Sequence, residues 1–147
     1  MFASIEEVIM EIPKEIKTLL KNNKLCSMAT CWNEKPYLSL MNYTYLESEN
    51  IVILSSRKNS KKYTNIQKNK NISLLIFSNS TNKSATFLGT ALTLNTGDEK
   101  KEYYRKMHMK NCEMPQFILG EDINLIIFNI EEIIISDRKD NVKYIGE

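Results

Sequence analysis

The residues best suited to chemistry lie together between Ser55 and Lys62, where the chain reads Ser-Ser-Arg-Lys-Asn-Ser-Lys-Lys. Ser60 is a good helix N-cap, so Lys61 and Lys62 fall in the first turn of the helix that follows. Cations are misplaced there. The helix macrodipole and the unpaired N–H groups make each one unfavourable by about 0.3–1 kcal/mol. A local conflict of this kind points to a missing partner. A bound anion would accept from those N–H groups, pair with the ammonium groups, and hydrogen-bond the hydroxyls of Ser55, Ser56 and Ser60. Phosphate fits that description best. The competing reading is a solvated basic helix face in a chain rich in Lys, Asn and Ile.

The elements that must position these groups are readable on either side. Ile51 to Leu54 and Ile72 to Phe77 are short β-branched, apolar runs and read as buried strands. Between them Tyr63 and Ile66 give a short helix one apolar stripe, and Asn69-Lys70-Asn71 ends it. Upstream, Ile5 to Asn22 has helical spacing interrupted by Pro13, which predicts two short helices. Leu25 to Thr30 reads as a strand, Trp32 to Pro36 as a turn, and Tyr37 to Tyr45 as a long second strand. Leu38 and Leu40 share one of its faces, and Tyr37, Met41, Tyr43 and Tyr45 the other.

Downstream, Ser78 to Ser84 is polar and reads as a loop, and Ala85 to Leu94 as a strand. Gly89 within that strand implies a bend or a close approach. Asp98 caps a helix running to about Lys110, and Asn111 to Asp122 reads as irregular. Ile123 to Ile135 is a last strand region in which Glu131-Glu132 suggests a bulge or turn. The polar tail from Ser136 reads as loose. Hairpin-connected strands with few helices predict a small β-barrel with flanking helices.

A chain of 147 residues with a formal charge of +2 suits one domain and lacks the strong field of a dedicated nucleic-acid binder. Stacking on bases would need aromatics interleaved with the basic run, and only Tyr63 is near. Cys26, Cys31 and Cys112 are odd in number and lack metal-ligand spacing, so they read as reduced thiols in a cytoplasmic protein. The acidic N-terminus carries no signal-peptide pattern, and the apolar runs are too short to span a membrane. His108 with Cys112 and Met114 offers a soft-metal reading that ranks below Met packing at a helix end with a solvent-facing His. Tyr103-Tyr104 reads as barrel-capping core.

From about Ile12 to Ile135 the chain resembles the pyridoxamine 5'-phosphate oxidase-like FMN-binding split-barrel superfamily. The likeness rests on Met28-Ala29-Thr30, then Glu34-Lys35-Pro36-Tyr37-Leu38-Ser39, then Ser55-Ser56 with Ser60-Lys61-Lys62. It continues in Ile72-Ser73-Leu74-Leu75 and in Gly89-Thr90-Ala91. Lys70 stands where the family commonly has Pro. The resemblance implies a single domain over 1–147, with N-terminal helices in 1–22 and a polar tail in 136–147, folded as a six-stranded antiparallel split barrel. It implies a homodimer with FMN at the subunit interface. Lys61 and Lys62 would hold the phosphate, joined by Ser56, Ser60 and Arg57 and supported by Ser55. Ser39, Leu40, Met41 and Asn42 would run along the isoalloxazine ring, and Ser84 would reach the site of the partner subunit. The implied activity is that of an FMN-dependent oxidoreductase acting on a small molecule, of the general-stress, flavin-reductase or nitroimidazole-resistance kind. The alternative is a non-catalytic flavin or haem binder. A tail without His departs from the enzymes that oxidise vitamin B6 phosphates.

Overall fold

The structure is a computed structural model. It describes residues 10–94, 98–112, 118, 120, 122–137, 139 and 141–146. Of the two helices expected before residue 23, the first falls largely outside the described residues. The second is α1 (Lys14–Asn22), which starts just after Pro13. The elements that follow are β1 (Leu25–Trp32), β2 (Lys35–Asn42), β3 (Thr44–Leu46), β4 (Ile51–Arg57), α2 (Lys61–Lys68), β5 (Asn71–Ser78), β6 (Lys83–Leu94), α3 (Glu99–Asn111), β7 (Ile123–Ser136) and β8 (Val142–Gly146).

All the described strands join one antiparallel sheet in the order β2-β1-β5-β6-β7-β4-β3, with β8 added to β7. The two ends of that order, β2 and β3, are consecutive in the chain and separated by Tyr43 alone. A flat sheet cannot satisfy both facts. It must curl until its edges meet, which brings β2 against β4 and makes a split barrel. Tyr43 fastens the joint: its side chain is buried, and its hydroxyl donates to the Leu20 carbonyl of α1 at 2.7 Å.

The eight strands are the six expected with two changes. The long second strand breaks at Tyr43 into β2 and β3. The tail, expected to be loose, instead pairs as β8 with Glu132–Ser136. The Asp137 carboxylate organises the turn into β8 by accepting from the N–H groups of Lys139 at 2.8 Å and Asn141 at 3.1 Å. Those bonds, with the Asn141 amide, hold its pKa below the usual carboxylate range.

The turn between β1 and β2 is shorter than expected. Trp32 pairs with Lys35, and only Asn33 and Glu34 turn the chain, at φ of 54° and 62°. Two successive positive φ values define the type I′ geometry that matches strand twist. On β2, Met41 faces inward while Leu38 and Leu40 stay 69% and 70% exposed. The bulge falls where the sequence suggested it: Leu88 pairs with Glu132 and Gly89 with Ile130, leaving Glu131 extra. Gly89 is required there, because a Cβ would sit 1.9 Å from the Asn129 carbonyl oxygen.

Two apolar clusters hold the fold. The larger fills the barrel with residues such as Met28, Leu54, Phe87 and Phe128, and α1 closes it with Ile16, Leu19 and Leu20. The smaller, built from Ile51, Ile53, Leu125 and Ile127, is covered by Tyr104 of α3. β4 therefore buries both faces, which is why Ile51–Leu54 is continuously apolar.

Candidate cofactor site

β4 ends in Ser55, Ser56 and Arg57, and the turn Lys58-Asn59-Ser60 leads into the start of α2. Ser56 is 5% exposed, and its Oγ lies 2.7 Å from Ser60 Oγ. Ser60 Oγ also accepts from the Tyr63 N–H at 3.2 Å, confirming it as the N-cap. No acidic residue occupies the first turn. The curl of the sheet carries the end of β2 to the same place, and a cavity of about 240 Å³ opens between them. Ser55, Ser56, Arg57, Ser60 and Lys62 line one side, and Leu40, Met41 and Asn42 the other. Cys112, at the end of α3, and Ile123, at the start of β7, complete the wall.

A buried polar network fixes α2 in this position. Asn124, which pairs with Ser56 across β4 and β7, donates to the Tyr63 hydroxyl at 2.8 Å and accepts from Lys101 Nζ at 2.8 Å. Asn65 donates to Thr30 Oγ1 at 3.1 Å, and Asn69 donates to the Cys31 carbonyl at 3.0 Å. Burial depresses the pKa of Lys101, and the charges of Lys58 and Arg105 depress it further. The cavity gathers hydroxyls, a guanidinium, an ammonium and a helix start, the donor set of a phosphate-sized anion site.

The two lysines expected to act together are separated. Lys62 lines the cavity, whereas Lys61 Nζ lies over the Tyr37 ring, 5.4 Å from its centroid. Lys68 sits likewise over Trp32 at 4.9 Å. Lys61, Asn65 and Lys68 thus form one helical stripe that grips the β1–β2 hairpin. Ser39 lies on β2 beside the cavity wall, and its buried Oγ has no hydrogen-bond partner. Ser84 is not brought to this cavity; on β6 it pairs with Phe77 and Ser136. Sequence reasoning missed Cys112, Ile123 and the supporting Asn124. Only Asn124 left a signal, as an amide at the start of the apolar run Ile123–Phe128.

Two expectations for α3 are corrected. His108 is fully buried instead of solvent-facing: its Nδ1 lies 2.7 Å from Thr44 Oγ1, Nε2 has no partner, and burial pushes its pKa down to about 4. Tyr104 is core and donates to Glu49 Oε1 at 2.6 Å, but Tyr103 is 46% exposed. The helix uses its 104–108 face for packing and polar latches at once, which apolar periodicity could not reveal. Met114 lies outside the described residues. Among the described residues no group of three or more His, Cys, Asp or Glu could hold a metal ion, and no helix is long and apolar enough to cross a membrane.

The fold is a split barrel, with a cavity lined by hydroxyls and cations at the junction of β4 and α2. Residues 12–137 match the pyridoxamine 5'-phosphate oxidase family, and the chain belongs to it. A pyridoxamine 5'-phosphate oxidase homolog of Schizosaccharomyces pombe is 31% identical, with 89% of this chain and 88% of the relative covered. Among solved structures, a haem-binding protein from Mycobacterium smegmatis matches with a TM-score of 0.74 at 14% identity, over 92% of this chain and 59% of that one. A pyridoxamine 5'-phosphate oxidase-related FMN-binding protein from Nostoc punctiforme matches with a TM-score of 0.66 at 10% identity, over 92% and 97%.

Proposed function

We propose that the cavity holds the 5'-phosphate of FMN, and that the chain is an FMN-dependent oxidoreductase acting on a small molecule. The observation that carries this reading is the assembly of Ser56, Ser60, Arg57 and Lys62 around the start of α2. Ser56 and Ser60 now hydrogen-bond to each other, and either hydroxyl can rotate to donate to a phosphate oxygen. Arg57 and Lys62 match the charge of a phosphomonoester dianion. Leu40, Met41 and Asn42 offer an apolar wall and an amide to the flavin ring. The orphaned Ser39 hydroxyl, beside that wall, is a buried polar group in need of a partner.

Bound flavin would supply the hydride and electron transfer itself, so the protein's work is to bind, orient and exclude water. Among the described residues, the cavity lining includes no carboxylate and no histidine. A larger cleft, about 590 Å³, lies elsewhere, but its Lys14, Lys83 and Glu15 leave a single net positive charge and suit a dianion poorly.

The same reading includes a homodimer. On the outer face of the sheet, Leu40 and Leu75 flank Ser27 in one row, and Leu38 lies beside them. All three leucines are well exposed. A second copy would cover this stripe and bring Ser84 toward the other flavin. A cytoplasmic location fits cysteines that form no disulfide. Histidine ligation of a haem is disfavoured because the chain's single histidine is fully buried against Thr44.

The test is the absorption spectrum of the purified protein with added FMN, followed by reduction with a pyridine nucleotide. A bound flavin that is bleached and then reoxidised by a small acceptor is the expected result. Bound flavin without turnover would leave a storage role, and no flavin binding at micromolar protein would refute the reading.

A further inference from the structure

The cleft of about 590 Å³ lies at the other end of the barrel, between α1, the β5–β6 turn and β7. Phe77 on its wall is six residues along β5 from Asn71, the strand residue that follows α2, or about 20 Å. The cleft is thus separate from the cofactor cavity, and a ligand bound there is independent of the flavin reading. Its volume falls in the range of small-molecule sites, roughly 300–1,000 Å³.

Its chemistry is divided. Leu19 and Ile135 are buried in the floor, and Phe77 stands 52% exposed beside them. An aromatic ring left half in water at the edge of a cavity is a surface that a flat or linear apolar body can cover. Of the hydroxyls nearby, Thr18 donates to the Lys14 carbonyl at 3.0 Å, and Ser78 and Ser80 bond to each other at 3.0 Å.

The charged groups at the cleft are two lysines and one glutamate. Lys14 has no ion pair among the described residues, and Lys83 Nζ is shared with Glu15 Oε2 at 3.3 Å. Both side chains of that pair are nearly half exposed, so it contributes little and is readily exchanged.

We propose that this cleft binds a monoanionic amphiphile, an aromatic or medium-chain carboxylate. Its apolar body lies on Leu19, Phe77 and Ile135, and its carboxylate takes Lys14 and the Lys83 ammonium now shared with Glu15. The net single positive charge selects a monoanion over the dianion that suits Arg57 and Lys62. A neutral analogue loses the charge-assisted hydrogen bonds and keeps only the apolar contact.

The experiment titrates 2-naphthoate into the full ¹⁵N-labelled chain and follows amide shifts. Saturable shifts clustered at Asn22, Asn23 and Ser78 to Thr81 are expected, with one site per chain. Phe77→Ser should weaken binding about tenfold, as should Lys14→Gln combined with Lys83→Gln, and 2-naphthylmethanol should bind about tenfold more weakly. Lys62→Ala and added FMN should leave the titration unchanged. Absence of saturable shifts would overturn the proposal. So would shifts centred on Ser56 and Lys62, or equal affinity for the alcohol or in both cleft variants. Phe77, Lys14 and Lys83 are surface positions, and unchanged melting curves would show that the variants fold.

Discussion

Lys61 and Lys62 are adjacent in sequence and alike in chemistry, yet the structure assigns them different work, and single alanine substitutions separate the two roles. Lys62 lines the cavity. Losing a hydrogen bond to a charged group costs about 1.5–3 kcal/mol, so Lys62→Ala should weaken FMN binding by roughly 10- to 150-fold. Lys61 lies over Tyr37. Its removal forfeits a cation–π contact of about 0.5–1 kcal/mol but relieves a cation at a helix start worth about 0.3–1 kcal/mol. Lys61→Ala should therefore leave the urea midpoint nearly unmoved and FMN affinity within about threefold. Quenching of flavin fluorescence on titration gives the affinities, and urea melts followed by circular dichroism give the stabilities. Equal losses of affinity in the two variants would refute the division of roles. An unaffected Lys62→Ala variant would refute the anion site itself.

Three further outcomes follow from particular contacts. His108 titrates near 4 in the fold against 6.5 when free, so the unfolded chain binds the extra proton first. Stability should be full above pH 6.5 and fall by about 3 kcal/mol as pH drops toward 4. His108→Gln should flatten that part of the profile in urea melts taken across the range, and an unchanged slope would show that another group carries it. Gly89→Ala drives a methyl into the Asn129 carbonyl and should cost at least the upper part of the roughly 1–3 kcal/mol typical of overpacking, read as a lower urea midpoint. Leu38→Lys combined with Leu75→Lys should convert a dimer to a monomer by light scattering while the melting curve stays cooperative. A variant that remains dimeric would place the interface elsewhere.

Much of the local structure was legible because it is local. The cap at Ser60, the cap at Asp98, the bulge at Glu131 and the close approach at Gly89 each follow from one or two side chains acting on their own backbone. The elements misjudged were those that another part of the chain decides. Val142–Gly146 is short, follows a polar turn and is mostly exposed, and is a strand because β7 offers an open edge. His108 lies on a polar helix, and is buried where Thr44 of β3 receives it. Leu38 and Leu40 gave no hint of facing solvent, since alternation says that two faces differ but not which one the barrel encloses.

By itself the sequence determined the chemistry available at the β4–α2 junction: hydroxyls, cations and a capped helix start within eight consecutive residues, each set by its neighbours. Only the tertiary structure decided which of those groups face one space, because that depends on the curl that brings β2 back to β4 and on the network holding α2 by Tyr63, Asn65 and Asn124. Side-chain type is written residue by residue, but a cavity belongs to segments far apart in the chain, and its shape is settled when they pack.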